Sequence, residues 1–301
     1  MNIGIDIGGS HIGIGVVDSN GNIKKRKDIY IGLKEKTKIR KYILEEIVKT
    51  IDEWCGDKGK VRKIGIAAPG IIMNGNIKYS VNLGLSNYDL KKLLLKHYPN
   101  ANIRLKNDAK CAALAEKNLG ALKNHDNSVF ICLGTGIGGA FFYNGRLISP
   151  RRGSGAEFGH MIIKRNGRAC RCGNRGCFEQ YGSMRVFKSR IKSCLNLSPR
   201  IEGEKLRKAI EDNIDNKDVK RIIDTYLDDV CLGLSNIVNI LEPDTICIGG
   251  GFSKYEELLL DLLKERFKKA KYLFYKKNVP NIVVAKLGNN AGIIGAALYI
   301  W

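Results

Sequence analysis

Two stretches of this chain repeat one local pattern, and the repeat limits which folds the chain can adopt. Residues 2–31 and residues 128–148 each read as strand, glycine-rich turn, strand, Asn-Gly turn and strand. An Asn-Gly dipeptide between strand-like runs is typical of a tight hairpin, so each stretch predicts an antiparallel meander. Each meander is followed by segments with helical spacing. The sequence therefore predicts an α/β protein of two duplicated domains whose glycine turns face each other across a cleft.

The remaining segments carry either the short apolar runs of strands or the apolar spacing of helices. Short apolar runs predict strands over residues 63–70, 102–108, 244–251 and 281–287. Apolar residues at helical spacing predict helices over residues 34–54, 89–97, 109–120, 183–195, 204–212, 217–241, 253–270 and 290–300. Asp108 stands directly before the third of these helices, where we expect it to be the N-cap.

Length and composition are those of a globular protein. With 301 residues, 44% of them hydrophobic, the chain is long enough for two domains with buried cores. No apolar run approaches the roughly 18 residues of a membrane span, and no leader pattern follows Met1. Six of the nine cysteines are scattered in mostly apolar contexts, as expected of buried thiols in a reducing compartment. We therefore expect a cytoplasmic protein without a membrane partner.

The formal net charge of +21 raises the possibility of a nucleic-acid partner. The basic residues, however, are spread over many segments, such as 24–27 and 264–269, without interleaved aromatic residues. This distribution favours a solvated basic surface that attracts anionic substrates, and no nucleic-acid partner is expected.

Three glycine turns, at residues 8–10, 134–136 and 249–251, each end a predicted buried strand. Backbone amides at such turns form anion-binding nests, so three of them together predict a nucleotide site. Asp6 precedes the first turn, where a carboxylate could hold Mg²⁺ through water. Residues 134–139 match the G-x-G-x-x-G pattern, but a strand follows where a dinucleotide site requires a helix. A Walker A motif is absent from the sequence.

A cluster of soft metal ligands lies between residues 157 and 179. Cys170, Cys172 and Cys177 follow His160, and this spacing predicts a tetrahedral zinc site. Gly173 and Gly176 would let the backbone curl tightly enough to bring the sulfur atoms together. Four protein ligands leave no position open for water, so the predicted zinc is structural.

Polar residues beside these motifs could bind and activate a hydroxylated substrate. Asn107 and Asp108 lie between a strand and a helix, where a carboxylate can accept a proton from a hydroxyl during phosphoryl transfer. A plain helix N-cap is the alternative role for this pair. Glu157, His160 and Glu179 could together hydrogen-bond several hydroxyls of a sugar, although surface glutamates are common.

Taken together, these motifs resemble the ROK family of sugar kinases and sugar-responsive repressors, within the actin–hexokinase–Hsp70 superfamily. The resemblance covers nearly the whole chain and is most specific in the two motifs around the cysteines. The matching segments are DIGGSHIGIGVVD at 6–18, KNDAKCAALAE at 106–116, LGTGIGGAFFYNGRL at 133–147, GAEFGH at 155–160, CRCGNRGCFE at 170–179 and IGGG at 248–251.

The resemblance implies two ribonuclease-H-like domains, as in actin-like ATPases, with ATP and sugar in the cleft between them. A small domain would comprise residues 1–122 with helix 290–301, and a large domain of residues 123–289 would carry the zinc loop. Asp108 would be the catalytic base. The resemblance assigns sugar binding to Gly70, Asn82, Asn107, Asp108, Glu157, His160 and Glu179. It assigns the metal-linked and nucleotide-binding roles to Asp6, Gly8, Gly9, Ser10, Gly134, Thr135, Gly136, Gly249, Gly250 and Gly251.

The implied activity is ATP-dependent phosphorylation of a hexose, with glucose and its 6-hydroxyl as first choice and ATP, Mg²⁺ and structural Zn²⁺ as cofactors. An N-acetylmannosamine kinase or a fructo- or allokinase stays open. A repressor of the same family would carry a helix-turn-helix before the kinase-like part. Here the first motif starts at residue 6, so we expect the enzyme rather than the repressor. Departures from the family pattern are Ser10, His11 and Asn290. Relatives are often homodimers, so a homodimer is expected.

Overall fold

The computed structural model describes residues 1–32, 36–269 and 271–301, which form two compact α/β units. The first unit comprises residues 1–124, 147–155 and 286–301, and the second comprises residues 125–146 and 156–285. Parts of two predicted helices, residues 34–35 and residue 270, lie outside the described residues. None of the described helices combines the length and the hydropathy that crossing a membrane requires.

Thirteen strands and nine α-helices are found within the described residues. The strands are β1 (Asn2–Ile7), β2 (His11–Val17), β3 (Ile23–Tyr30), β4 (Lys63–Ala68), β5 (Ile71–Met73), β6 (Asn76–Ser80), β7 (Leu85–Tyr88), β8 (Asn102–Asn107), β9 (Ser128–Leu133), β10 (Ile137–Tyr143), β11 (Arg146–Leu147), β12 (Thr245–Gly249) and β13 (Asn281–Val284). The α-helices are α1 (Lys36–Cys55), α2 (Leu90–His97), α3 (Asp108–Leu119), α4 (Glu179–Gly182), α5 (Met184–Cys194), α6 (Gly203–Glu211), α7 (Lys217–Leu241), α8 (Glu256–Lys268) and α9 (Ala291–Leu298).

The main sheet of the first unit has the order β3-β2-β1-β4-β8. β1 to β3 pair antiparallel, whereas β1, β4 and β8 run parallel. The predicted meander over residues 2–31 is therefore confirmed. Side chains alternate along β1: Ile3, Ile5 and Ile7 belong to the core that also contains the buried face of α1. Asp6 points to the opposite face of the sheet, where α9 packs.

The close packing of α9 on this sheet depends on a small residue in β4. A Cβ atom at Gly65 would lie 1.8 Å from the carbonyl oxygen of Ala296, so only glycine allows the helix backbone to approach this closely. Every α9 residue except Leu298 is buried. The predicted apolar helix at the end of the sequence is thus confirmed, and its apolar character reflects burial on all sides.

The sheet of the second unit has the order β11-β10-β9-β12-β13. β9 and β10 pair antiparallel, whereas β9, β12 and β13 run parallel. Numbered within each sheet, both follow the order third, second, first, fourth and fifth strand. The duplication itself stays a prediction. The core of this unit packs around the buried face of α7, which carries eleven buried residues.

Several local features differ from the sequence-based predictions. The N-cap of α3 is Asn107, with extended backbone and a side chain that accepts from Lys110, and Asp108 is the first helical residue. The predicted helix from residue 253 begins instead as a 3₁₀ helix over Gly250–Tyr255, a tighter form common at helix starts. Strands β5, β6 and β7 and the short helix α4 are not predicted; Leu85–Tyr88, for example, has no apolar run.

Candidate functional site

The first glycine turn, residues 8–10, joins β1 to β2 in the first unit. The amide of Gly8 donates to the carbonyl of His11 at 2.8 Å, and the carbonyl of Ser10 accepts from Ile31 at 2.8 Å. The Ser10 hydroxyl lies 2.8 Å from His11 Nδ1, and the exposed His11 ring packs against Tyr30. The turn is therefore closed by one backbone bond to His11 and held by a second from Ile31, which follows β3.

Asp6 lies at the end of β1, directly before this turn, and meets α9 at Gly292. A Cβ atom at Gly292 would lie 2.2 Å from the Asp6 carboxylate, so the helix leaves space for this side chain only because of the glycine. Burial is the largest cause that raises the pKa of Asp6 to about 7, and the negative charge of Asp108 is the second. The positive charge of Arg26 lowers this pKa. Two carboxylates thus interact at this edge of the sheet, an arrangement that favours a bound cation.

Arg26 is in turn held by two partners on different segments. Its guanidinium makes a bidentate pair with Asp28, with both nitrogen–oxygen distances 2.8 Å, and donates to the side-chain oxygen of Asn290. Asn290, one of the departures from the family pattern, therefore accepts from the arginine whose charge acts on Asp6.

Asn107 and Asp108 lie where β8 passes into α3. The amide nitrogen of the Asn107 side chain donates to the carbonyl of Gly70 at 3.2 Å, and its oxygen caps α3 through the Lys110 amide at 3.2 Å. One oxygen of Asp108 accepts from the Ala109 amide at 2.8 Å. Since Asn107 supplies the cap, the Asp108 carboxylate is not needed for capping. Asn82 is exposed and lies beside the first turn, 3.9 Å from where a Cβ of Gly9 would stand.

The second glycine turn, residues 134–136, joins β9 to β10 in the second unit. Within the turn the amide of Gly134 donates to the carbonyl of Gly136 at 2.9 Å. The amide of Ile137, the next residue, donates to Glu179 Oε2 at 3.0 Å. The structure thus brings Glu179, predicted to bind sugar, directly against a turn predicted to bind phosphate.

Glu157 is the N-cap and His160 the last residue of a short 3₁₀ helix, Phe158–His160, that packs on the start of β10. A Cβ atom at Gly159 would lie 2.3 Å from the carbonyl oxygen of Ile137. The peptide groups of Ile137 are therefore in contact with the segments of both His160 and Glu179. The third turn lies beside the second, because a Cβ at Gly250 would lie 2.8 Å from the carbonyl oxygen of Leu133.

The four predicted zinc ligands converge. The ligand atoms of His160, Cys170, Cys172 and Cys177 all lie within 4.8 Å of one another. Cys170 Sγ is 3.8 Å from His160 Nδ1, and Cys172 Sγ is 3.6 Å from Cys177 Sγ. In a zinc tetrahedron with bonds of about 2.0–2.3 Å, neighbouring ligand atoms are separated by about 3.3–3.8 Å. The separations within the Cys170–His160 pair and the Cys172–Cys177 pair therefore fit a zinc ion.

The backbone of this cluster agrees with that fit. Gly173 and Gly176 have positive φ angles of 96° and 84°, as the predicted tight curl requires. Burial, together with the neighbouring Cys172 and Cys170, raises the pKa of Cys177 to about 12. A divalent cation would reverse this effect, because it stabilises the thiolate form of its ligands.

Sequence reasoning missed the side chains that surround these predicted residues. Gln180 donates to Cys170 Sγ at 3.5 Å, and Arg185 donates through Nε to the carbonyl of Thr135 at 3.1 Å. In the first unit, the buried carboxylate of Glu116 accepts from the amides of Ala121, Lys286 and Leu287. Most of these contacts join residues at least 50 positions apart in the sequence, and no local pattern signals them.

Comparison with known proteins places the chain in a family. Residues 2–301 match the ROK family model, and the chain belongs to the ROK family. A glucokinase of Thermotoga maritima is 31% identical over 99% of this chain and 96% of its own length. An N-acetyl-D-glucosamine kinase of Yersinia enterocolitica is 28% identical over 99% of this chain and 98% of its own.

A solved structure agrees with this assignment. The ROK family glucokinase from Streptomyces griseus, in complex with glucose and AMPPNP, superimposes with a TM-score of 0.82. It is 28% identical, and the alignment covers 98% of this chain and 97% of that protein. The predicted family, and with it the α/β fold with mixed sheets, is confirmed.

Proposed function

We propose that this ROK protein transfers the γ-phosphate of ATP to the 6-hydroxyl of glucose, with Asp108 as the base. That the chain is an ATP-dependent sugar kinase follows from its family and its glucokinase relatives. The sugar and the residue roles are the proposal. The observation that carries the proposal is that Asp108 opens α3 with Asn107 as its cap, while its charge acts on Asp6 beside a glycine turn.

In the first unit, the proposed roles divide between phosphate and sugar. Asp6 is linked to Mg²⁺, and the amides of Gly8, Gly9 and Ser10 face phosphate oxygens. When bound, Mg²⁺ neutralises charge on the phosphates. Asn107 contacts the sugar, with Gly70 and Asn82 lining its pocket. Asp108 accepts the proton of the attacking hydroxyl, and an ordinary aspartate suffices because a loose transition state depends mainly on positioning.

In the second unit, residues 134–136 and 249–251 face the nucleotide, and Glu157, His160 and Glu179 bind sugar hydroxyls. His160, Cys170, Cys172 and Cys177 hold a structural zinc. Because Nδ1 of His160 faces Cys170 at 3.8 Å, Nδ1 is the metal-binding nitrogen. Nε2, on the other side of the ring, is then the atom that contacts the sugar. A metal-bound histidine has a fixed tautomer and orientation, which suits it to position a hydroxyl.

A second candidate substrate is a 2-acetamido hexose, and the N-acetyl-D-glucosamine kinase relative favours it. N-acetylmannosamine, fructose and allose are further candidate acceptors of the phosphate. All of them leave the role of Asp108 unchanged, because each has a primary hydroxyl at C6 and differs from glucose at other carbons.

The experiment is ADP release by the purified protein with Mg-ATP and single sugars: glucose, N-acetylglucosamine, N-acetylmannosamine, mannose, fructose and allose. We expect turnover only when a sugar is present, with the highest kcat/KM for glucose. A higher kcat/KM for an N-acetylated sugar would replace glucose as the substrate. Tight binding of a sugar without turnover on any member of the panel would favour a sugar-responsive regulator and overturn the kinase proposal.

A further inference from the structure

A continuous set of side-chain contacts in the second unit joins the turn at residues 134–136 to the cysteine cluster. Arg185, near the start of α5, bonds the turn twice. Its backbone amide donates to the carbonyl of Gly134 at 3.2 Å, and its Nε donates to the carbonyl of Thr135 at 3.1 Å. The same guanidinium donates through Nη2 to the side-chain oxygen of Gln180 at 3.4 Å.

Gln180 completes the connection to the cluster. Its Nε2 donates to Cys170 Sγ at 3.5 Å and lies 3.5 Å from Oε1 of Glu179. Hydrogen bonds donated to a metal-bound sulfur orient the ligand and adjust its charge. One amide side chain therefore contacts a proposed zinc ligand, a proposed sugar ligand and the arginine that holds the turn.

The bonds to Arg185 fix the direction of the amides in the turn. The carbonyl of Gly134 and the N–H of Thr135 belong to one planar trans peptide, in which the two groups point in opposite directions. The carbonyl of Thr135 and the N–H of Gly136 are related in the same way. Because both carbonyls point at Arg185, both N–H groups point away from it, as an anion-binding turn requires.

We propose that Gln180 and Arg185 are positioning residues that couple the cysteine cluster to the phosphate-binding turn, so that bound zinc and bound nucleotide strengthen each other. The inference rests on the proposed roles of the turn and the cluster. Coupling between two sites is reciprocal: if zinc improves nucleotide binding by some factor, nucleotide improves zinc binding by the same factor.

The test measures zinc release from the holoenzyme to a chromogenic chelator, with and without a saturating non-hydrolysable ATP analogue. Dissociation constants for the analogue are measured by calorimetry in parallel. In the wild type we expect the analogue to slow zinc release by about 5-fold or more, within the usual range of coupling factors. Gln180→Met keeps the length of the side chain but removes its hydrogen bonds to Cys170, Glu179 and Arg185, and should bring the ratio of release rates to about one.

Arg185→Ala should weaken analogue binding by about 10-fold and also abolish the effect on zinc release, with the KM for the sugar changed less than about 2-fold. Arg185→Lys restores the charge without the fixed fork of a guanidinium and should recover only part of the loss. Arg190→Ala is the matched control, since it removes the same charge from α5 and, in the described part of the chain, Arg190 has no hydrogen bond to Thr135 or Gln180. The control should behave as the wild type.

Analogue binding without any effect on zinc release in the wild type would overturn this inference and leave the kinase proposal standing. An effect that survives in both Gln180→Met and Arg185→Ala would also overturn it. Failure of the wild type to bind the analogue would overturn both proposals. A wild-type ratio of one overturns the inference by itself, so the test keeps a decisive outcome even where one variant does not fold.

Discussion

Oε2 of Glu179 accepts a hydrogen bond from the backbone amide of Ile137, with a nitrogen–oxygen distance of 3.0 Å. The contact depends on the residue before Ile137, because a Cβ atom at Gly136 would lie 2.4 Å from the same oxygen. A carboxylate proposed to bind sugar is therefore fixed to the end of a turn proposed to bind phosphate. We therefore expect that one substitution of Glu179 can weaken sugar binding alone, whereas another weakens both sugar and nucleotide binding.

Glu179→Gln and Glu179→Ala should have different effects. The amide oxygen of glutamine can still accept from Ile137, but its NH₂ group replaces the second acceptor. We expect Glu179→Gln to raise the KM for the sugar by about 10-fold or more, with the KM for ATP within about 2-fold of wild type. Glu179→Ala leaves the Ile137 amide without its partner, so both KM values should rise. Initial rates with each substrate varied in turn give the two constants, and equal effects of both variants on ATP would contradict this role.

Asp6→Asn should stabilise the protein above neutral pH when magnesium is absent. The folded-state pKa of Asp6 is raised to about 7 from 3.8, so between these values the folded state binds more protons than the unfolded state. The free energy of unfolding contributed by Asp6 therefore falls as pH rises through this window and stays low above it. Asparagine removes the penalty, which is on the order of a few kcal/mol.

Urea unfolding at pH 5 and pH 8, in magnesium-free buffer without a chelator, measures this effect. The difference in stability between Asp6→Asn and the wild type should grow from pH 5 to pH 8, while the variant loses kinase activity. Asp108 and Arg26 also act on Asp6, so Arg26→Gln should raise its pKa further and enlarge the difference. A difference that stays constant with pH would contradict the raised pKa.

Glu116 should be a major contributor to the stability of the first unit. The residue has 0% exposure, and its carboxylate accepts from the amides of Ala121, Lys286 and Leu287 at 2.8, 3.2 and 2.8 Å. Glu116→Ala leaves three donors unpaired, which should lower the free energy of unfolding by at least about 3 kcal/mol. The control Glu45→Ala removes an exposed glutamate whose pairing with Lys41 contributes at most about 0.5 kcal/mol. Similar losses in the two variants would show that the buried contacts are not stabilising.

Metal analysis should find about one zinc ion per chain, bound by the cysteine cluster. Cys172→Ser should lower zinc affinity by about 100-fold or more and lower the melting temperature, because an incomplete ligand set holds the loop poorly. Cys194→Ser, at a half-buried thiol outside the cluster, should keep its zinc. A fully active enzyme without zinc would contradict the structural role of the metal.

The features predicted correctly from the sequence are those encoded locally. The Asn-Gly turns fix the hairpins, and Asn144 and Gly145 indeed have positive φ angles of 48° and 73°. The cysteine cluster could be predicted because three ligands lie within eight residues and glycines allow the curl between them. The residue that caps α3 could not be predicted from the sequence. Asn107 and Asp108 are equally good N-caps, and only the backbone conformation decides between them.

The contacts that the sequence did not reveal join distant segments. Arg26 meets Asn290 across 264 residues, and Arg185 meets Thr135 across 50. Neither arginine has a local signal, since a basic residue on a strand or helix of a chain with net charge +21 usually faces solvent. The predicted homodimer, the domain boundaries and the individual site roles stay predictions.

Asp108→Asn tests the central claim most directly. The amide keeps the shape and the hydrogen bond to Ala109 but cannot accept the proton of the sugar hydroxyl. We expect kcat with glucose and Mg-ATP to fall by about 100-fold or more, while the Kd for glucose stays within about 3-fold of wild type. Asp89→Asn, which keeps the cap of α2 in the same unit, should leave kcat unchanged. A kcat of Asp108→Asn equal to that of the wild type would contradict the assignment of Asp108 as the base.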